Sequence, residues 1–358
     1  MMPGPMQLTS GMLIRPHLRL VRVLGMGGMG SVWLAEHLAL ELQVAVKVLH
    51  QEALDFGGAN VLSRFRREAR AAAKINSPHV ARVFDLGAMA DGTPFIVMEL
   101  IKGETLTRYA GRRGRLRPED VAPLLSQVVK ALTDAHRCGV VHRDIKPDNI
   151  MLMPSTNVPF VKVLDFGLAK PMSEWQDGVS TATGARMGTA AYMSPEQVMD
   201  SKGVDHRTDL WSLGVVAYEL LTERLPFGMD GSALLAMHQR DFVPPSQRVE
   251  HLPTGVDSWF RHALHPRRNR RFQSAVAMAR AFRRTVKAAR AAREGQGAKI
   301  AAGHLALTEA ARAAKAADRA WRKAALARAA AAGQLQTPAF ENARRHSRLQ
   351  LPFVLEHR

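Results

Sequence analysis

Three glycines near the start of the chain, Gly25-x-Gly27-x-x-Gly30, limit the fold more than any other feature. In a dinucleotide-binding fold such a loop must open a helix. Here it is followed by Ser31-Val32-Trp33-Leu34-Ala35, which alternates and is β-branched at Val32. An alternating segment, 20–24, also precedes it, so the loop caps a β-hairpin and the dinucleotide-binding reading fails on context. Further strands are expected over 44–49, 80–86 and 94–100, with one helix over 61–74, where propensity is high. After Lys102 the pattern turns helical, over 118–137, 208–222, 231–240, 255–264 and 273–290. A β-rich front and a helical back predict an α+β fold of two lobes with a cleft between them.

The chain has 358 residues, 46% of them hydrophobic, enough for a sizeable core. Its single cysteine, Cys138, excludes an internal disulfide framework and fits a reducing compartment. Cys138 lies in an apolar run and is expected to be a small buried hydrophobe. No apolar run approaches the ~18–20 residues that span a bilayer, and residues 1–10 lack the charged and apolar regions of a signal peptide. A cytoplasmic protein is expected. The formal charge is +18, and residues 281–358 alone carry 16 Lys and Arg against 5 Asp and Glu, a surplus of +11.

Four motifs follow one another in order. The glycine loop, with Leu24, Met26, Gly28, Met29 and Val32, comes first. Lys47 then ends the apolar run Val44-Ala45-Val46. His142-Arg143-Asp144-Ile145-Lys146-Pro147-Asp148-Asn149 comes third, and Asp165-Phe166-Gly167 fourth. Together they resemble the signature of protein kinases, and in detail that of bacterial Hanks-type serine/threonine kinases. The resemblance covers residues 18–284. Residues 1–14, rich in Met, Pro and Gly, are expected to be a flexible lead-in, and the resemblance implies a kinase domain (15–284) with an N-lobe (15–101) and a C-lobe (102–284). A basic Ala/Arg-rich extension (285–358), helical or disordered, completes the chain.

Phosphoryl transfer to a hydroxyl requires the triphosphate to be held, its charge neutralised, the hydroxyl oriented and water excluded. Gly25, Gly27 and Gly30 let backbone N–H groups approach phosphates; the competing reading is a plain β-turn. A lysine set among Val44, Ala45, Val46 and Val48 either snorkels to solvent or is paired. Asp144 is the candidate base, Lys146 can neutralise the γ-phosphate, and Asn149 and Asp165 offer oxygen to Mg2+, with Mn2+ able to substitute.

The resemblance implies more. Lys47 would pair with the ATP phosphates and with Glu68, which is otherwise an ordinary surface charge beside Arg66, Arg67 and Arg70. Val32, Ala45, Met98, Met151 and a hinge at Glu99–Ile101 would surround the adenine. His142 would be a buried structural residue, and Asp209 would hold the catalytic loop. Thr189 would help Asp144 and Lys146 present the acceptor. Lys146 followed by Pro147-x-Asn149 marks serine/threonine specificity. Ser194-Pro195-Glu196 departs from the commoner Ala-Pro-Glu; Glu196 would pair with Arg271, ahead of which His265-Pro266 replaces the family's usual Asp-Pro. Arg143 next to Asp144 calls for an anionic partner, so Thr181 and Thr183 are expected sites of autophosphorylation.

A nucleotide-binding scaffold without transfer activity is the rival reading, and the complete set Lys47, Asp144, Asn149 and Asp165 argues against it. The whole segment through Glu196 argues for protein substrates over a small-molecule acceptor. For the basic tail three readings stay open: a solvated extension, a dock for an acidic protein or scaffold, and contact with nucleic acid or an anionic membrane. The near absence of stacking aromatics beyond Trp321 argues against nucleic acid.

Overall fold

The computed structural model describes residues 8–27, 30–166, 190–199, 203–228, 233–253 and 255–331. The chain divides into two compact units, residues 1–290 and 291–358.

The first unit opens with six antiparallel strands: β1 (Leu13–Arg15), β2 (Leu18–Gly27), β3 (Gly30–His37), β4 (Leu42–Leu49), β5 (Val83–Ala88) and β6 (Pro94–Glu99), in the order β1-β2-β3-β4-β6-β5. Their side chains alternate between faces. One face buries Leu18, Leu20, Trp33, Val44, Val46, Val48, Phe95 and Val97. The other takes helix α1 (Gln51–Ala73), whose Val61, Phe65 and Ala69 recur every four residues and pack with Leu49 and Ile96.

Several boundaries differ from expectation, and two of them bear on packing. Helix α1 begins ten residues before position 61 and includes Gly57 and Gly58, which propensity disfavours; Ala53 and Leu54 of this added part pack on the core. Residues 8–14 are not a flexible lead-in. Leu8 and Met12 pack on the sheet core, Leu20 N–H donates to the Met12 carbonyl at 2.9 Å, and Ile14 is buried.

The helical part surrounds a small antiparallel sheet, β7 (Glu104–Thr105), β8 (Ile150–Met153) and β9 (Phe160–Val163). Helix α2 (Leu106–Arg113) is capped by Thr105 and anchored by the buried Leu106 and Tyr109. Helix α3 (Pro118–Arg137) starts with Pro118 and two acidic residues, which suit a helix N-terminus, and buries Val121, Leu124, Leu125, Val128 and Leu132. Each of these large side chains contributes about 1.5–3 kcal/mol. After α4 (Pro195–Met199), helix α5 (Arg207–Thr222) is buried on every side, as its apolar run Trp211–Leu221 requires. Helices α6 (Ala233–Gln239), α7 (Pro245–Arg248), α8 (Val256–Ala263) and the start of α9 (Ala275–Ala331) complete the lobe. In α9, Ala275, Met278, Ala279, Phe282 and Val286 face the core.

Cys138 is exposed, contrary to the expected burial. It occupies the C-cap of α3, beyond the turn whose apolar stripe is packed. The second unit is helical through Ala331, and its side chains from 304 to 328 are exposed. No helix among the described residues is long and apolar enough to cross a membrane.

Candidate active site

The glycine hairpin closes with Gly27 opposite Gly30, and Leu24, Gly25 and Met26 are exposed along it. Gly30 has a structural reason to lack a side chain. A Cβ there would lie 2.1 Å from the Val48 carbonyl oxygen on β4, whereas one on Gly25 would meet nothing within 4 Å. Gly28 and Met29 lie outside the described residues.

Strand register sets the next residues. Val32 lies opposite Lys47, Ala45 opposite Met98, and Val44 opposite Glu99. Lys47 Nζ reaches Asp165 Oδ2 at 3.0 Å. Among the described residues, this is the carboxylate within ion-pair distance of Lys47. Glu68, 8% exposed on α1, shares with Lys47, Met98, Asp165 and Phe166 the lining of one cavity, whose α1 wall is completed by Ala69 and Ala72. Structure therefore brings Glu68 to the site as a buried group, not a surface charge. Ile101 and Met151 are half-buried, and Met151 pairs with Thr105 and Lys162 in the small sheet.

The catalytic loop is built around buried polar groups. His142 is fully buried, meets Phe166 edge-on at 4.5 Å, and its Nε2 contacts the Leu164 carbonyl at 2.7 Å. Asp209, also fully buried, accepts from the backbone N–H of His142 at 3.0 Å and of Arg143 at 2.8 Å, and from His136 Nε2 at 2.7 Å. Arg143 and Asp165 have φ of 65° and 55°. Such conformations cost roughly 1–3 kcal/mol for a non-glycine residue and persist only where the surroundings over-determine them.

Asp144 sits among its candidate partners. Lys146 Nζ lies 3.0 Å from Asp144 Oδ2, and Asn149 Nδ2 donates to both Asp144 O (2.8 Å) and Asp144 Oδ2 (3.0 Å). With its nitrogen turned to Asp144, Asn149 has an amide oxygen to offer a cation. Asp165 offers a carboxylate at the other side of the cleft. These are hard oxygen donors too few to cage a metal alone, which suits Mg2+ bound jointly with phosphates and water. Thr181, Thr183 and Thr189 lie outside the described residues.

The peptide side of the loop is tied down as well. Tyr192 donates to Glu219 Oε2 at 2.6 Å. Burial pushes the Glu219 carboxyl up, the Tyr192 bond opposes this, and the charge of Asp148 adds to it. Glu196 meets Arg271 in a bidentate pair, both contacts 2.7 Å. Burial raises the Glu196 carboxyl, but the Arg271 guanidinium prevails and holds it below its ordinary value. All five Arg271 hydrogens are used: the others go to the carbonyls of His265, Pro266 and Arg207. At the His265-Pro266 departure it is the backbone oxygens that hold Arg271.

Sequence reasoning did not find Lys162. This buried lysine on β9 places Nζ 2.8 Å from Glu99 Oε2, at the end of β6. Its signal was the same as that of Lys47, a lone lysine flanked by Val161 and Val163 in an apolar strand.

A β-rich lobe with a helical lobe, a paired lysine, an Asp–Lys–Asn cluster and a second aspartate define the architecture of a protein kinase domain. Residues 18–282 match the family model of the protein kinase domain, and the chain belongs to that family. It is 43% identical over 241 residues to serine/threonine-protein kinase pkn3 of Myxococcus xanthus, an alignment covering 66% of this chain and 44% of that one. It is 39% identical over 277 residues to serine/threonine-protein kinase PknB of Mycobacterium tuberculosis, covering 76% of this chain and 43% of that one. The crystal structure of the Mycobacterium tuberculosis PknI kinase domain matches with a TM-score of 0.62 at 26% identity, covering 78% of this chain and 100% of that one. The chain spans less than half the length of these two curated relatives.

Proposed function

We propose that this protein transfers the γ-phosphoryl group of ATP to serine and threonine hydroxyls of protein substrates. The observation that carries this is the cluster in which Lys146 Nζ and Asn149 Nδ2 both meet Asp144 Oδ2 at 3.0 Å. A carboxylate held in this way can orient an acceptor hydroxyl and take its proton late in the transfer. Lys146, beside Asp144, would neutralise the moving phosphoryl group. Lys47 would hold the α- and β-phosphates, aided by the glycine hairpin. Mg2+, or Mn2+, would be held by Asn149 and Asp165 and would supply neutralisation of phosphate charge. Met98, Glu99, Ile101, Ala45, Val32 and Met151 would form the adenine pocket, and Thr189 would help present the acceptor.

The protein would act in intracellular signalling, on the cytoplasmic side where ATP is available. Arg143, next to Asp144, supports control by autophosphorylation at Thr181 or Thr183, since a phosphate dianion is the natural partner of a guanidinium. Among the described residues, nothing supports an acidic partner for the basic tail.

The test is incubation of wild-type and Asp144→Asn protein with γ-labelled ATP and Mg2+, followed by phosphopeptide mass spectrometry. Label on wild type alone, on serine or threonine, is expected. Label on neither, with ATP still bound, would replace the kinase reading with a nucleotide-binding scaffold.

A further inference from the structure

Gln197 carries a role that the catalytic motifs do not include. It lies in α4, two residues beyond the first helical residue, and is 7% exposed. Its backbone and side chain face Ser194 reciprocally. Gln197 N–H donates to Ser194 Oγ at 3.4 Å, and Ser194 N–H donates to Gln197 Oε1 at 3.1 Å. This is the capping-box pattern, with Pro195 at the first helical position. A glutamate at position 197 would close the same cap.

The other half of the amide separates glutamine from glutamate. Gln197 Nε2 donates to the Arg143 carbonyl at 2.7 Å. The amide cannot be reversed. Thr208 Oγ1 also donates to Gln197 Oε1, at 2.6 Å, so the oxygen faces two donors while the nitrogen faces a carbonyl. Ser194 Oγ lies 2.6 Å from Thr208 Oγ1; because Thr208 gives its own hydrogen to Gln197, Ser194 is the donor of this second bond. Ser194 and Thr208 are fully buried, so water does not compete for these bonds.

The Arg143 carbonyl belongs to the peptide plane that includes the Asp144 nitrogen. Arg143 holds φ at 65°, and its own N–H is gripped by Asp209 Oδ1. Asp209 thus fixes the peptide before Arg143, and Gln197 fixes the peptide after it. The Asp144 N–H, on that second plane, donates to His142 Nδ1 at 3.2 Å. We propose that Gln197 is a positioning residue, setting the direction of the Asp144 side chain through the Arg143–Asp144 peptide. The Ser194 hydroxyl and Thr208 serve to orient its amide. This assignment rests on the kinase reading of Asp144.

Gln197→Glu isolates the donor, since it retains the shape and the acceptor oxygen. We expect kcat to fall about tenfold or more at pH 8, since small misplacements near the chemistry are costly, with KM for ATP within about twofold. A protonated carboxyl can donate to Arg143 again, so the ratio of variant to wild-type kcat should rise as pH is lowered. Gln197→Met, which has no donor at any pH, should show the loss without the recovery. Hydrogen exchange of the peptide 142–149 should be faster in both variants, and this readout does not depend on turnover. A wild-type protein with no kinase activity would therefore sink the kinase reading and still leave exchange to decide the role of Gln197. Unchanged exchange overturns the inference. So does a Gln197→Glu kcat within twofold of wild type, or a kcat loss equal in Gln197→Glu and Gln197→Met at every pH and tracking Tm.

Discussion

Lys162 and Glu99 meet at 2.8 Å where the two sheets approach each other, and Arg82 N–H donates to the same Glu99 oxygen at 3.2 Å. The pair joins the end of β6, the expected hinge, to the strand that leads into Asp165. Nearby, Ala81 N–H donates to Val163 O and Val163 N–H to His79 O, so the backbone makes the same junction. The side chains are 11% and 26% exposed, so solvent weakens the pair only in part.

Removing one partner should therefore leave a poorly solvated charge. We expect Lys162→Met and Glu99→Gln each to destabilise the fold by ~1–3 kcal/mol, below the range for fully buried pairs. The double variant should lose clearly less than the sum. Urea unfolding of the four proteins measures this, and additive losses would show that the pair is not coupled.

For the chemistry, Asp144→Asn should lower turnover at least ~10²-fold while ATP binding persists, since phosphate contacts lie elsewhere. Lys47→Met should weaken ATP binding and turnover together, because it removes the cation facing Asp165 as well as the phosphate contact. Steady-state kinetics with a parallel nucleotide-binding titration separates the two patterns. Wild-type turnover in Asp144→Asn would refute the assignment of this carboxylate.

Gly30 and Gly25 should respond differently to alanine. At Gly30 the new methyl group would strike the Val48 carbonyl oxygen at 2.1 Å, a backbone atom that cannot rotate away, so β3 and β4 must separate. A loss of ~1–3 kcal/mol is expected, as for overpacked cores. At Gly25 the space is open. Gly25→Ala should keep stability within ~0.5 kcal/mol, and any effect should appear in KM for ATP. Thermal unfolding decides the first expectation and kinetics the second.

The Glu196–Arg271 pair carries a pH signature. The folded-state carboxyl lies below its ordinary value, so its contribution is present above the unfolded pKa of ~4.3 and is lost as pH falls toward the lower folded value. Glu196→Gln should be clearly less stable than wild type at pH 7, and the gap should narrow below pH ~4. A gap that is constant with pH would mean that the pair contributes through shape alone.

Much of this architecture was legible because it is local. Alternation showed the β3 and β4 strands, and the helix over 118–137 was marked at both ends by its own residues. The catalytic loop and Asp165 were legible from residue type and spacing, and the Glu196–Arg271 pairing only through the resemblance. What escaped was tertiary. Strands β8 and β9 are four residues each, too short for periodicity, and they exist because each completes the other's hydrogen bonds. Helix α2 carries Gly111 and stands because Leu106 and Tyr109 find the core. Burial of Cys138 was expected from apolar neighbours in sequence, but the chain turns outward at the end of α3. The role of Gln197 had no sequence signal, since nothing in a sequence shows a carbonyl 54 residues away.

The five-fold use of Arg271 bears on how little of this chain can fold alone. Its hydrogens reach a glutamate on α4, a carbonyl at the start of α5 and two carbonyls just after α8. Three parts of the helical lobe are thus closed by one residue that the ribosome delivers after all of them. A nascent chain halted before residue 271 would leave Glu196 without its guanidinium partner. The lobe should therefore resist proteolysis only once synthesis has passed this arginine, and in one step.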